Sequence, residues 1–173
     1  AEAMQSFNSA YLEIGFGNGQ SLSEMAFNNP DINFIGIEVH RPGVGSILTE
    51  IHDKQLKNLK VICADATEVL ADNILNNSLS TVQLFFPDPW HKTRHHKRRI
   101  INPEFVNLIA TKLTSKGKIH LATDWEHYAQ HMMEVLESDK KFTNLNGSTK
   151  FSLIKPIHRP TTKFETRGRN LGH

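Results

Sequence analysis

The sequence contains a single cysteine, Cys63, and no uninterrupted apolar stretch of the roughly 20 residues that a membrane-spanning helix needs. One cysteine excludes an intramolecular disulfide framework and a Cys-x-x-Cys zinc or redox motif, which fits a reducing cytosol. The first ten residues lack the basic-then-apolar order of a signal peptide. We therefore expect a soluble, cytoplasmic protein with no membrane partner.

Glycine and proline are also sparse, with ten and seven in 173 residues, whereas 38% of residues are hydrophobic. These values exclude a collagen-like or disordered chain and predict one globular domain over residues 1–173 with a substantial core. No internal repeat or low-complexity linker divides the chain. The chain begins with Ala1 and ends without a closing element, so we expect N- and C-terminal segments of the full protein to be missing.

The net charge is only +2, but the charges are unevenly distributed. Residues 1–90 carry four Lys or Arg against eleven Asp or Glu, whereas residues 91–173 carry sixteen against seven. The densest basic run, residues 91–99, holds five Lys or Arg and three His. Such asymmetry suggests a polyanionic partner for the second half, although a run of charges can also be a solvated surface.

Short apolar runs alternate with helical patterns along the chain, which indicates parallel βαβ units. The predicted strands are Ala10–Ile14, Asn33–Glu38, Lys60–Cys63, Val82–Phe86 and Lys118–Ala122. Strands this apolar are typical of a sheet buried on both faces. The sequence therefore predicts an α/β fold, a doubly wound and mostly parallel sheet with helices on both faces.

Helix signals lie between these strands. The clearest is Asn102-Pro103, an N-cap followed by a proline in the first helical turn. Ser21-Leu22-Ser23-Glu24 has capping-box spacing. Further helices are predicted over Val44–Leu56, 67–75 and Trp125–Ser138, and two late strands over Phe142–Leu145 and Phe151–Ile154.

The first strand runs into a glycine-rich turn, Leu12-Glu13-Ile14-Gly15-Phe16-Gly17-Asn18-Gly19. Glycines let the backbone turn tightly and approach a ligand that a Cβ would block. The dinucleotide fingerprint needs a glycine where this chain has Gln20 or Leu22, so a pyrophosphate ligand is disfavoured. The candidate cofactor-binding residues of this turn are Glu13, Gly15, Gly17 and Gly19.

Two further acids lie at the ends of the next two predicted strands. Glu38 could accept hydrogen bonds from both hydroxyls of a ribose, and Asp65 could accept from an exocyclic amine such as adenine N6. Either acid could instead cap a helix. Together with Glu13, three carboxylates at successive strand ends predict a pocket for a cationic adenosine.

These residues resemble the S-adenosylmethionine (SAM) site of the class I, Rossmann-like methyltransferases. Additional motifs resemble those of the bacterial tRNA (guanine-N7-)-methyltransferase family over nearly the whole chain. They are Phe85-Phe86-Pro87-Asp88-Pro89-Trp90-His91-Lys92 with the basic run after it, Thr123-Asp124-Trp125, and Arg159-Pro160-Thr161-Thr162-Lys163-Phe164-Glu165.

The resemblance implies methyl transfer from SAM to N7 of guanine 46 in the variable loop of tRNA. Asp88, held between two prolines at a strand end, is the candidate catalytic residue, because it could accept from guanine N1–H and N2–H. It is also a candidate cofactor-binding residue, since the methyl donor and the base would meet at this strand end. Pro-Asp-Pro could instead be only a rigid turn. Family substrate contacts map onto Lys92, Asp124, Thr162, Lys163, Phe164 and Glu165.

The basic run begins four residues after Asp88, so we expect RNA-backbone contacts among Lys92, Arg94, Lys97, Arg98 and Arg99. Trp90 could stack on a base or belong to the core. The histidines of this run lie among cations without nearby acids, so we expect no metal site. No protein partner is implied. The alternative functions are a non-catalytic RNA-binding domain and an NAD-dependent oxidoreductase.

Overall fold

A computed structural model describes residues 10–155, 159–161 and 165–166. Its five strands form one parallel sheet in the order β3-β2-β1-β4-β5. The strands are β1 (Ala10–Ile14), β2 (Phe34–Ile37), β3 (Leu59–Ile62), β4 (Leu79–Phe85) and β5 (Leu113–Ala122). The helices are α1 (Gln20–Asn28), α2 (Arg41–Asp53), α3 (Ala66–Asp72), α4 (Pro103–Lys112) and α5 (Glu126–Ser138), with a 3-10 helix over Thr93–Arg98.

The helices cover both faces of the sheet. One apolar cluster includes residues of α1 and α2 such as Leu22, Met25 and Ile47. The other cluster includes residues of α3, α4 and α5, among them Leu70 and Ile109. The predicted doubly wound α/β fold is confirmed, because the first crossovers lie on one face and the later ones on the other.

The sheet reverses its strand order between β1 and β4. From β1 the chain moves outward through β2 to β3, then crosses to the other side of β1 and continues through β4 to β5. In an open parallel sheet, ligands bind at the carboxyl ends of the strands at such a reversal. The fold therefore predicts a ligand site beside the segments that follow Ile14 and Phe85.

Asn102 caps α4 as predicted. Its side-chain oxygen accepts from the Phe105 N–H at 2.9 Å, and Pro103 occupies the first turn. The predicted capping box at Ser21-Leu22-Ser23-Glu24 is wrong, since α1 begins at Gln20 and its N-cap, Gly19, makes no side-chain bond. The glycine turn leads directly into the helix, which leaves no place for a serine cap.

The two late strands predicted over Phe142–Leu145 and Phe151–Ile154 are also wrong: both segments are irregular. Residues after α5 bond instead to Glu137 on that helix, whose Oε1 accepts from the Asn144 side chain at 3.0 Å and from the Thr149 N–H at 2.7 Å. These bonds hold the segment that follows α5 to that helix.

Within the described part of the chain, no helix is both long and apolar enough to span a bilayer.

Candidate functional site

The glycine turn follows β1 with left-handed backbone at Gly15 (φ 71°), Gly17 (φ 61°) and Gly19 (φ 75°). A Cβ at Gly15 or Gly17 would meet no atom within 4 Å, so these two residues border open space. A Cβ at Gly19 would lie 2.4 Å from the Ile47 side chain. The first two glycines therefore leave room in front of the turn, and the third permits close packing against α2.

Glu38 ties this turn to the start of α2. One oxygen accepts from the Gly17 N–H at 2.8 Å, and the other accepts from the N–H groups of Val39 at 2.8 Å and His40 at 3.0 Å. A carboxylate offers about four acceptor positions, so about one remains on Glu38. Both hydroxyls of a ribose could bind Glu38 only if the carboxylate lost one of its hydrogen bonds from a backbone N–H. One hydroxyl could bind without such a loss.

Asp65 has the capping role that was the alternative to ligand binding. Its Oδ1 accepts from the N–H groups of Thr67 at 2.8 Å and Glu68 at 3.2 Å, at the start of α3. The side chain is exposed, and Oδ2 accepts no bond from the described residues. The cap therefore fixes the carboxylate while leaving one oxygen open to an exocyclic amine.

Glu13 is the most deeply buried carboxylate in the described chain, 4% exposed. Its Oε2 has no hydrogen-bond partner among the described residues, and neither does Oε1 of Gln83, its neighbour on β4. Burial raises the pKa of Glu13 to about 8. Two buried side-chain oxygens without partners, on Glu13 and Gln83, favour a ligand that brings hydrogen-bonding groups to them.

Asp88 lies in a turn bounded by two residues in the left-handed region, Phe86 (φ 51°) and Trp90 (φ 46°). Each such conformation costs a bulky residue on the order of 1–3 kcal/mol, and this kind of strain concentrates at functional sites. Oδ1 of Asp88 accepts from the Trp90 N–H at 3.0 Å, and the side chain is otherwise exposed.

A pocket of about 220 Å³ joins this turn to the glycine turn. Gly15 contributes from β1, and Asp88 and Trp90 contribute from the segment after β4. The pocket therefore occupies the reversal of strand order, between the two segments that the sequence singled out. Its lining residues are Ile14, Gly15, Leu84, Phe85, Pro87, Asp88, Trp90, Arg98 and Ile100.

The basic run largely forms the 3-10 helix beside this pocket. Its exposed cations are Lys92, Arg94, Lys97 and Arg98. The Arg98 guanidinium lies 5.0 Å from the centre of the Trp90 ring. The Trp90 ring therefore both lines the pocket and contacts a cation. Arg99 is only 2% exposed, which removes it from the predicted RNA-facing set.

Asp124 follows β5 at the same edge of the sheet and is exposed. Asp124 does not cap α5, because the N-cap of that helix is Trp125, which makes no side-chain cap bond. Thr123 instead accepts the Trp125 N–H through its hydroxyl at 3.2 Å. The Asp124 carboxylate is thus left facing solvent at a strand end.

Glu165 is engaged by Arg159, whose Nη1 and Nη2 donate to its two oxygens at 3.2 and 3.3 Å. The same guanidinium lies over the rings of Phe85 and Phe86, at 5.4 and 5.9 Å from their centres. Sequence analysis gave Arg159 no role of its own. The predicted substrate residues Thr162, Lys163 and Phe164 lie outside the described residues.

Within the described ranges, no three His, Cys, Asp or Glu side chains come together in a way that could hold a metal ion.

Comparison with known proteins gives a family. A family model described as "Putative methyltransferase" matches residues 8–173. The tRNA (guanine-N(7)-)-methyltransferase of Histophilus somni (strain 129Pt) is 57% identical over 96% of this chain and 66% of its own length. That of Mannheimia succiniciproducens is 54% identical over 100% of this chain and 69% of its own.

The chain belongs to the tRNA (guanine-N(7)-)-methyltransferase family. It spans about two thirds of the length of these curated relatives, 66% and 69% of the two named above. The resemblance drawn from the motifs around Glu13, Asp88 and Asp124 is therefore confirmed at the level of the family.

Solved structures agree on the fold. A precorrin-6y C5,15-methyltransferase from Geobacter metallireducens GS-15 superposes with a TM-score of 0.58 at 19% identity, covering 75% of this chain and 61% of that one. A SAM-dependent O-methyltransferase from Thermotoga maritima gives a TM-score of 0.57 at 12% identity, covering 75% and 43%. The Rossmann-like class I methyltransferase fold of this family member is thereby shown.

The packing of α2 against the glycine turn makes a testable pair of substitutions. A Cβ at Gly43 would lie 2.0 Å from the Gly17 carbonyl oxygen, whereas a Cβ at Gly45 on the same helix would meet nothing within 4 Å. We expect Gly43→Ala to lower the free energy of unfolding by about 1–3 kcal/mol. Gly45→Ala should raise it by roughly 0.5–1 kcal/mol. Chemical unfolding would measure both, and equal shifts would contradict the close contact.

Glu13 makes stability depend on pH. Its pKa is raised from 4.5 to about 8 in the folded protein, so the unfolded chain releases this proton first as pH rises. As the pH rises from 4.5 to about 8, Glu13 should therefore reduce the free energy of unfolding by up to about 1.4 kcal/mol per pH unit. Glu13→Gln should remove this slope in denaturant titrations from acidic to mildly basic pH. Glu24→Gln, at an exposed site of α1, is the control, and an unchanged slope in Glu13→Gln would disprove the assignment.

Proposed function

We propose that this chain carries the catalytic domain of an enzyme that transfers the methyl group of SAM to N7 of guanine in tRNA, at guanine 46 of the variable loop. The observation that carries the proposal is 57% identity, over 96% of the chain, to a relative named tRNA (guanine-N(7)-)-methyltransferase. The position of the guanine rests on the family resemblance alone.

The residues at the end of β1 fit SAM. Gly15 and Gly17 leave open space where a ligand can approach the backbone, and Glu13 is a buried carboxylate with an unpartnered oxygen. Burial keeps Glu13 largely protonated in the absence of a ligand, and a bound cation would favour its ionised form, whereas a pyrophosphate would not. Glu38, with about one free acceptor position, can hold one ribose hydroxyl, and Asp65 can accept from the adenine amine through Oδ2.

Guanine N7 carries an exposed lone pair, so attack on a methyl group needs no prior deprotonation of that atom. When bound, SAM supplies an electrophilic methyl group on a sulfonium. The task left to the protein is to orient the base and to stabilise the positive charge that N7 acquires. Asp88 can do both, because one carboxylate can accept from guanine N1–H and N2–H while its charge opposes the cationic ring.

The tRNA backbone would meet the exposed cations of the 3-10 helix. Lys92, Arg94, Lys97 and Arg98 follow Asp88 within ten residues and are exposed. Phosphates bound there would place the nucleotide near the pocket that Asp88 lines. Asp124 at the neighbouring strand end and the segment that includes Glu165 would complete the guanine site, with Thr162, Lys163 and Phe164 assigned by resemblance only.

The direct test uses the intact protein, SAM and unmodified tRNA. We expect one 7-methylguanosine in the variable loop, which reduction followed by aniline cleavage would locate. Methylation at another atom or another loop would contradict the proposed substrate site. Absence of transfer, with S-adenosylhomocysteine failing to bind in calorimetry, would contradict the enzyme class itself.

Substitutions of Asp88 and Glu38 should differ in their effects on methyl transfer and on S-adenosylhomocysteine binding. Asp88→Ala is expected to abolish methyl transfer while leaving S-adenosylhomocysteine binding largely intact, because Asp88 acts on the base. Glu38→Ala should weaken that binding at least about tenfold, since losing a charge-assisted hydrogen bond typically costs 1.5–3 kcal/mol. Calorimetry and tritiated methyl transfer would measure the two effects, with Asp72→Ala at the exposed end of α3 as control. Equal loss of affinity in both variants would mean that Asp88 has been assigned the wrong role.

A further inference from the structure

Arg99 differs from every other fixed charge of the basic run. Lys92, Arg94, Lys97 and Arg98 are exposed, whereas Arg99 is 2% exposed and is among the largest fully buried side chains. An arginine remains charged at neutral pH, so burying it is costly unless its donors are used. A side chain in this position cannot reach a phosphate in solution.

The buried guanidinium points back to the turn that carries Asp88. Its Nε donates to the Pro89 carbonyl oxygen at 2.8 Å, and its Nη2 lies 3.2 Å from Nδ1 of His127 on α5. Its central carbon lies 4.7 Å from the centre of the Tyr128 ring. Because arginine only donates, Nδ1 of His127 must accept. Arg99 thus connects the Pro-Asp-Pro turn to α5.

The turn needs such an external contact. Both of its boundary residues, Phe86 and Trp90, are in the left-handed region, and the prolines on either side of Asp88 have no N–H to donate. The Asp88 side chain accepts the Trp90 N–H, so its orientation follows the backbone of the turn. Movement of the Pro89 carbonyl would therefore move the Asp88 carboxylate.

We propose that Arg99 is a positioning residue for Asp88: its guanidinium fixes the Pro89 carbonyl and thereby holds the Asp88 carboxylate in place for guanine, without touching RNA. This role rests on the proposed methyl transfer. It separates Arg99 from the adjacent Arg98, which is exposed and belongs to the RNA-facing surface.

The test compares Arg99→Lys, Arg99→Ala and Arg98→Ala in the intact protein. Lysine keeps the charge of Arg99 but lacks the planar fork that reaches Pro89 and His127 together. We expect kcat of Arg99→Lys to fall about 10- to 100-fold, with KM for tRNA and the Kd of S-adenosylhomocysteine changed less than about threefold. Arg98→Ala should instead weaken tRNA binding and lower the salt dependence of binding by about one phosphate contact.

Chemical rescue separates positioning from a general structural role. Guanidinium at millimolar, non-denaturing concentration should restore part of kcat to Arg99→Ala, since it can occupy the vacated site and donate to Pro89. It should leave Arg98→Ala unchanged. Thermal unfolding of each variant would show whether the protein remains folded under the assay conditions.

Three outcomes would overturn the role of Arg99. The first is weaker tRNA binding with a lower salt dependence and unchanged kcat in Arg99→Lys, which would make it an RNA contact. The second is a kcat loss without rescue that merely follows the unfolded fraction. The third is full activity of Arg99→Lys beside an active wild type. Failure of the proposed function is a different result, because the wild-type protein itself would then be inactive.

Discussion

The crossovers of the chain to opposite faces of the sheet open a crevice between the carboxyl ends of β1 and β4, and the proposed site depends on that crevice. It places the glycine turn beside the Pro-Asp-Pro turn, although more than sixty residues separate them in sequence. The pocket lined by Gly15 and Asp88 exists because these two strand ends are neighbours.

Backbone conformation then sets the two sides of the crevice. On the β1 side, the left-handed glycines are unstrained and leave space in front of the turn. On the β4 side, Phe86 and Trp90 adopt the same region at a cost, so other contacts must hold that turn. One side can admit a ligand, and the other fixes a carboxylate.

The sequence predicted most of this framework, because buried parallel strands are continuous apolar runs and the Asn102-Pro103 cap is local. The late strands failed for a physical reason: a strand needs a neighbouring strand as its partner, and the apolar pattern of Phe142–Leu145 does not show whether one is available. The sequence also does not show which residue of a charge run is buried. Arg98 and Arg99 are adjacent arginines, and the packing of α5 against Arg99 makes one exposed and the other buried.

The division between an acidic first half and a basic second half acquires a chemical meaning in the proposed reaction. Methyl transfer moves one positive charge from the sulfonium to the guanine ring without creating a new one. The bound sulfonium favours the ionised form of Glu13, which stabilises the charge before transfer, and the Asp88 carboxylate near the base stabilises it afterwards. The exposed cations lie beyond Asp88, where they attract phosphates. Arg99 is buried and donates to the Pro89 carbonyl, so in the proposed mechanism it acts on the turn that carries Asp88 and not on a phosphate.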